Sequence, residues 1–158
     1  IDAAQAHGKD VKVQSRVMRA LTNLSVHDEN KARIASVKGI VALVQASLKH
    51  EDSAAVQAGV AGTLRNLSVS PEVAQVIADN DGIKSLINAA KIHSTNAIVQ
   101  TGVAGALRNL SVKEALRRAT AAGGGMETLA MATPVHADNE KLQAEVAAAL
   151  RNLAGEKM

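Results

Sequence analysis

The sequence contains no cysteine and none of the aromatic residues Phe, Tyr and Trp, and it has only two prolines. The absence of cysteine excludes a disulfide framework, a thiolate metal site and a cysteine nucleophile, and favours a reducing compartment. Without an aromatic ring there is no side chain on which bases stack, so nucleic-acid binding is disfavoured. What is present instead is alanine, 31 residues of it, in a chain that is 47% apolar. This composition favours closely packed helices over strands.

The length and charge describe an ordinary folded domain. A chain of 158 residues corresponds to about one domain, and 21% charged residues exclude intrinsic disorder. The formal net charge of +3 is too small to indicate a nucleic-acid-binding protein. The longest uncharged stretch, Ile92–Leu107, contains His, Ser, Thr, Asn and Gln, so neither a membrane span nor a signal peptide is predicted. We therefore expect an intracellular protein, cytoplasmic or nuclear, without membrane contact.

The chain repeats with a period of 43 residues. A Leu-x-Asn-Leu segment recurs in residues 21–24, 64–67, 107–110 and 150–153. Three other columns keep the same period: Gln14, Gln57, Gln100 and Gln143; Gly39, Gly82 and Gly125; and His7, His50, His93 and His136. The period predicts a single repeat domain, 1–158, made of one partial unit and three complete ones: 1–26, 27–69, 70–112 and 113–155. Because neither end has a polar capping unit, we expect a piece of a longer solenoid with exposed apolar ends, which leaves end-to-end self-association open.

Each unit is predicted to contain three helices. In the second unit a short helix runs from about Glu29 to Val37, and Gly39 is expected to supply the left-handed residue that ends it. A second helix runs over about Ile40–Leu48, where the apolar residues have helical spacing. Ser70-Pro71 then begins the first helix of the following unit, since proline is favoured at the first helical position.

The third helix is the longest and begins after a residue that can cap it. Ser53 aligns with Asp10, Asn96 and Asn139, and all four side chains can accept hydrogen bonds from first-turn amides. The helix then carries an apolar stripe formed by Val56, Val60, Leu64 and Leu67. Such a stripe needs a neighbour, and the next unit provides one of the same kind.

These features resemble the armadillo repeat over the whole chain. The resemblance is carried by three helices in each unit, a glycine between the first two, and a third helix that ends in Leu-x-Asn-Leu-Ser. It implies an all-α fold, a right-handed superhelix or α-solenoid. The resemblance also implies that the third helices line a concave groove that binds extended segments of partner proteins, as in the importin-alpha and beta-catenin groups. The groove Trp of importin-alpha-like repeats is absent; its positions hold Arg19, Gly62, Gly105 and Ala148.

One asparagine of each unit is a candidate groove residue: Asn23, Asn66, Asn109 and Asn152. An amide side chain both donates and accepts hydrogen bonds, so a column of them can bind the main chain of an extended peptide. Packed helices lie ~8–10 Å apart and extended chain rises ~3.3 Å per residue. Four asparagines would therefore contact about eight to twelve ligand residues. The alternative is that each asparagine only bonds neighbouring backbone at the end of its helix.

Arginines and glycines share the predicted groove face. The arginines are Arg65, Arg108 and Arg151, with Arg16 and Arg19 in the partial unit, and the glycines are Gly59, Gly62, Gly102 and Gly105. In the last unit, Glu145 and Ala148 occupy this face in place of the glycines. Arginine pairs with carboxylate or phosphate, so the predicted ligand segment is acidic or phosphorylated; the alternative is a solvated charged face. A glycine within a helix costs about 1 kcal/mol relative to alanine. Two explanations for these glycines are open: the helices pack closely against each other, or the floor of the groove is kept low so that a bulky ligand chain can lie in it.

Other polar signals are interpreted as structural. The aligned histidines lie one unit apart, on the order of 10 Å, which is too far to share a metal ion. They are expected at the C-terminal end of the second helix. Gly123–Gly125 aligns with the turn at Gly39 and lacks the Lys-Ser/Thr of a phosphate-binding loop.

No nucleophile, base and orienting group converge, so neither an enzyme nor a cofactor is predicted. The predicted function is a protein-interaction scaffold. The alternative is a structural spacer within a larger assembly that binds through its ends or its convex face.

Overall fold

The described part of the chain is almost entirely helical. The computed structural model describes residues 2–36 and 38–155, with the backbone alone at Ser36, and over that range it contains eleven α-helices and no strand. The helices are α1 (Asp2–Ala6), α2 (Val11–Leu24), α3 (Asp28–Ser36), α4 (Gly39–Lys49), α5 (Ala54–Leu67), α6 (Pro71–Asp79), α7 (Gly82–Ile92), α8 (Ala97–Leu110), α9 (Glu114–Ala122), α10 (Gly125–Val135) and α11 (Glu140–Ala154). The all-α prediction is confirmed. Val37, predicted in the first helix, lies outside the described residues.

The helices recur with the period of the sequence. First helices are α3, α6 and α9, second helices are α4, α7 and α10, and third helices are α5, α8 and α11, with α1 and α2 in the partial unit. None of the described helices is long and apolar enough to cross a lipid bilayer.

The third helix of every unit begins at its predicted N-cap. The side chains of Asp10, Ser53, Asn96 and Asn139 accept hydrogen bonds from first-turn amides of α2, α5, α8 and α11. These amides have no partner within their own helix. At Asp10 the amides of Val13 and Lys12 hold the pKa of the carboxyl below its ordinary value. Ser70 caps α6 in the same manner, with Pro71 at the first helical position as predicted.

The turn between first and second helices differs from the prediction by one residue. The left-handed residues are Lys38 (φ 57°), Asp81 (φ 61°) and Gly124 (φ 90°). The residues that follow them begin α4, α7 and α10: Gly39, Gly82 and Gly125. A Cβ at Gly39 would lie 2.1 Å from the carbonyl oxygen of Ile34. The prediction that Gly39 is the left-handed residue is therefore wrong, because this glycine is required by close approach of two helices. The predicted inter-helix turn is present at Gly123 and Gly124, and Gly125 begins α10.

The third helices pack side by side in chain order, α2 on α5, α5 on α8 and α8 on α11. These four helices are called the third-helix row below. The predicted stripe of α5 is confirmed, since each of its members is at most 2% exposed: Val56, Val60, Leu64 and Leu67. The aligned residues of α8 are equally buried: Val99, Val103, Leu107 and Leu110. Each stripe is covered by helices of the same kind, so aliphatic side chains fill the core without an aromatic residue.

A glutamine column joins each second helix to the third helix that follows it. Nε2 of Gln57 donates hydrogen bonds to the carbonyl oxygens of Ser47 (2.8 Å) and His50 (3.0 Å). The aligned residues make the same pair of bonds to the preceding helix end: Gln14, Gln100 and Gln143. The Ser47 carbonyl lies in the last turn of α4, where no intrahelical donor is present. The His50 carbonyl follows that turn and also accepts from the amide of Ser53. The column therefore satisfies the C-terminal ends of the second helices.

The histidine column lies at the end of the second helix, as predicted, and links neighbouring units. In three of its four histidines, Nε2 bonds to a carbonyl oxygen 42 residues earlier: His50 to Gly8, His93 to Glu51 and His136 to Ser94. Because a carbonyl oxygen only accepts, Nε2 carries the proton in each case. Over residues 2–36 and 38–155, no group of three His, Cys, Asp or Glu side chains lies close enough to hold a metal ion.

Candidate functional site

The candidate asparagines bond to the end of the preceding third helix. Nδ2 of Asn66 donates to the carbonyl oxygen of Thr22 (3.1 Å) and to Oγ of Ser25 (3.1 Å), both at the end of α2. The equivalent bonds run from Asn109 to Arg65 (3.1 Å) and Ser68 (3.3 Å), and from Asn152 to the carbonyl of Arg108 (3.0 Å). These three asparagines therefore donate to carbonyl oxygens that have no backbone donor within the preceding third helix. Asn23, on α2, is exposed.

The asparagine oxygens differ from the nitrogens in what they contact. Both N–H groups of Asn66 and of Asn109 are used within the chain. Oδ1 of Asn109 accepts from Nε (3.3 Å) and Nη2 (3.2 Å) of Arg108. Among the described residues, no donor contacts Oδ1 of Asn66 or of Asn152. The Nδ2 atoms thus match the alternative interpretation, in which the asparagines bond neighbouring backbone. The Oδ1 atoms of Asn66 and Asn152 remain as acceptors for a ligand.

One carboxylate lies between two arginines of the predicted column. On α11, Oε1 of Glu145 is 2.5 Å from Nη2 of Arg65 and Oε2 is 2.8 Å from Nη1 of Arg108. The Arg65 contact is a hydrogen bond, whereas the Arg108 contact is an ion pair without hydrogen-bond alignment. The Glu145 side chain is 8% exposed, against 29% for Arg65 and 36% for Arg108. Glu145 therefore neutralises part of the positive charge within the chain. Arg151, the remaining arginine of the column, is exposed and interacts with another residue of the chain.

Gly105 provides the path by which Arg65 reaches α11. It lies on α8, the helix between α5 and α11, and a Cβ there would be 2.4 Å from Nε and 2.6 Å from Cδ of Arg65. Gly105 is itself buried. The missing side chain thus lets an arginine cross one helix and pair with a carboxylate on the next.

The other glycines of this face lie where two helices approach closely. A Cβ at Gly59 would be 2.5 Å from Cβ and 3.0 Å from the carbonyl carbon of Met18 on α2. A Cβ at Gly102 would be 3.2 Å from the carbonyl carbon of Ala61 on α5. At Gly62 the nearest atom would be Cγ2 of Thr22, at 3.1 Å. Gly59 and Gly102 therefore support close packing of helix on helix, and Gly62 meets only a side chain.

We expect Gly59→Ala to lower the free energy of unfolding by up to about 2 kcal/mol. The backbone of α2 must move away, and overpacking of this kind costs about 1–3 kcal/mol, of which helix propensity returns ~1 kcal/mol. Gly62→Ala is the matched control on the same helix and should be neutral or stabilising, because Thr22 alone has to adjust. Urea unfolding followed by circular dichroism measures both. Equal loss in the two variants would contradict this account of the glycines.

A pocket of about 600 Å³ lies at the α2 end of the third-helix row. Arg16, Arg19 and Asn23 of α2 line it together with Ile98 of α8, and no acidic residue is among its lining residues. Both arginines are exposed, and neither forms an ion pair with a described residue. Ile98 is 72% exposed. The two ends of the row therefore differ, with unneutralised arginines at α2 and a buried glutamate between arginines at α11.

Helical spacing places Glu145 on the groove face of the last unit with Arg151 and Asn152, but sequence reasoning did not select Glu145 as a site residue. Its column holds Arg16, Gly59 and Gly102 in the other units, so a carboxylate there breaks the repeat pattern. That break is a usable signal of a special position. Its partner Arg65 lies 80 residues away in the chain and follows only from the stacking of three helices.

Recurrent three-helix units with a continuous third-helix row define an all-helical, repeat-like protein. No family model matches the sequence, and no curated protein matches it. Among solved structures, the chain is similar to the crystal structure of an engineered protein determined as a Northeast Structural Genomics Consortium target. The TM-score is 0.80 at 26% sequence identity, over 94% of this chain. The present chain spans 59% of the length of that engineered protein.

Proposed function

We propose that this chain is a non-enzymatic protein-interaction module. In this proposal it is a right-handed solenoid of armadillo-type repeats that binds an extended, acidic or phosphorylated segment of a partner protein along the third-helix row. The observation that carries the proposal is the asparagine column, in which internal hydrogen bonds through Nδ2 orient the amide groups. The oxygens of Asn66 and Asn152 are then oriented acceptors for the N–H groups of an extended chain. Orientation before binding reduces the entropy that a ligand loses.

The test begins with peptides selected from a random display library on the intact chain. Because the chain has no Trp or Tyr, affinities are measured by anisotropy of a fluorescein-labelled peptide. The triple variant Asn66→Ala/Arg108→Ala/Asn109→Ala should weaken binding at least tenfold, since it removes the oriented acceptor of Asn66 and the adjacent Arg108–Asn109 pair from the middle of the row. Binding should also weaken as salt is raised, if carboxylate or phosphate groups contact the arginines.

A matched control separates loss of binding from loss of stability. Asn66 and Asn109 bond to Ser25 and Ser68, so the triple variant also removes contacts between helices. Ser25→Ala/Ser68→Ala removes the hydroxyl partners of the same bonds and leaves both asparagine amides in place. This control should keep its affinity to within about twofold, as expected for residues outside the contact. Unchanged binding by the triple variant would contradict the proposal.

One observation favours the alternative of a spacer that binds through its convex face. A pocket of about 620 Å³ lies away from the third-helix row and is lined by Leu48 of α4, by Ile87 and Lys91 of α7, and by Gly123 after α9. Leu48 is 57% exposed. Amide chemical-shift changes confined to α4 and α7 on addition of the selected peptides would favour this alternative.

A further inference from the structure

Four of the five arginines of the third-helix row fall into two groups, which differ in whether a described residue supplies their counter-ion. Arg65 and Arg108 share Glu145, while the exposed Arg16 and Arg19 line a pocket without an acidic residue. The sequence pattern places all four on one positively charged face of the predicted groove. The ion pairs divide this set into two.

Resting on the proposed function, we infer that the carboxylates of an acidic ligand bind at Arg16 and Arg19, at the α2 end of the row. Glu145 acts as an internal counter-ion that excludes ligand carboxylates from Arg65 and Arg108. The ligand class is an acidic peptide segment with an aliphatic side chain next to its carboxylates.

Displacement of Glu145 by a ligand is unfavourable for a physical reason. Its carboxylate is 8% exposed and has two guanidinium groups within 2.8 Å. A ligand carboxylate that took over these guanidinium groups would leave a buried charge without a partner, which is strongly destabilising. The path of Arg65 over Gly105 also holds this guanidinium against α11. Acidic groups therefore gain more from arginines that have no partner to lose.

The α2 end of the row offers arginines that can pair with carboxylates and, beside them, an exposed aliphatic side chain. Arginine pairs with a carboxylate through two parallel hydrogen bonds, and Arg16 and Arg19 lie three residues apart on α2, on one helix face. Ile98 reaches the same pocket from α8 and is 72% exposed. An exposed aliphatic side chain beside two arginines matches a segment in which an aliphatic residue neighbours Asp or Glu. Asn23, in the same pocket, can bond the main chain of that segment.

The experiment uses the intact ¹⁵N-labelled chain and two synthetic probes. The first is a fluorescein-labelled peptide of about twelve residues in which Glu pairs alternate with Leu and Ala; the second has Gln in place of every Glu. Binding of the Glu peptide should shift amides of α2 and of the first turns of α5 and α8. Arg16→Gln/Arg19→Gln should weaken the Glu peptide about tenfold and leave the Gln peptide unchanged, since it removes two charge-assisted contacts.

Two further variants make the assignment specific. Lys49→Gln/Lys113→Gln removes the same charge from exposed positions outside the third-helix row and should change the affinity less than twofold. Glu145→Gln releases Arg65 and Arg108, so the Glu peptide should then also shift amides of α8 and α11. The amide spectrum of each variant shows whether its fold is kept, and the exposed Arg16 and Arg19 can be replaced without disturbing the core.

The outcomes separate this inference from the proposed function. Shifts along the third-helix row that persist unchanged in Arg16→Gln/Arg19→Gln would overturn the inference and leave peptide binding in place. So would wild-type shifts centred on Arg65 and Arg108. Absence of any shift in the row with both peptides would contradict the proposed function, and the inference with it.

Discussion

Leu107→Ala is expected to lower the free energy of unfolding by about 3–5 kcal/mol. The side chain of Leu107 is 0% exposed on α8, which packs against α5 on one side and α11 on the other. Truncation leaves a cavity that neither neighbour fills without moving. Because the total stability of a domain is about 5–15 kcal/mol, this variant should unfold at a much lower denaturant concentration. Far-ultraviolet circular dichroism in a urea titration measures the change, since the chain has no Trp or Tyr for fluorescence.

Leu150→Ala is the matched control for this prediction. Leu150 is aligned with Leu107 one unit later but is only partly buried, at the edge of the core. Its truncation should cost about 1 kcal/mol, because less apolar area leaves water on folding. If the two variants lose the same stability, burial between two third helices is not what distinguishes the units.

Gln57→Leu is expected to lower the free energy of unfolding by about 3 kcal/mol although the volume of the side chain hardly changes. Gln57 is 1% exposed; its Nε2 satisfies two carbonyl oxygens at the end of α4, and its Oε1 accepts from Oγ of Ser47 at 2.7 Å. Oγ of Ser47 in turn bonds Oγ of Ser85 on α7 at 2.8 Å. Leucine leaves the buried carbonyl and hydroxyl of Ser47 without these bonds, at about 1–3 kcal/mol for each group that water cannot reach. The carbonyl of His50 still accepts from the amide of Ser53.

The same substitution at Gln143 tests the role of burial. Gln143 makes the equivalent pair of bonds to Thr133 and His136, but it is half-buried and Thr133 is exposed. Water can replace the lost bonds there, so Gln143→Leu should cost about 1 kcal/mol. A loss at Gln57 as small as that at Gln143 would show that the buried network contributes little to stability.

Much of the fold could be predicted because it depends on short-range properties. The N-caps at Asp10, Ser53, Asn96 and Asn139 depend on residue type and on spacing to the following stripe. The burial of the α5 stripe follows from helical periodicity. The error at Gly39 arose because glycine suits both a left-handed turn and a close approach. Only the position of Ile34 behind it distinguishes the two.

For the candidate site, the sequence predicted which helix face carries it, but not the contacts that its side chains make. Placing Asn66, Arg65 and Gly62 on one side of α5 requires nothing beyond helical spacing. The sequence did not reveal that the nitrogen of Asn66 bonds to α2, because that depends on how far apart the two helices lie. Nor did it reveal that Arg65 crosses α8 to Glu145.

The sequence by itself determined the period, the helices, the capped starts and the apolar stripes, because each is specified by residues within one or two helical turns of one another. The tertiary structure alone decided which polar atoms remain for a ligand and which arginines already have a counter-ion. Those outcomes depend on distances between side chains that the chain separates by 37 to 80 residues. Such distances are set by helix packing, where the absence of one Cβ at Gly105 is enough to let Arg65 and Glu145 meet.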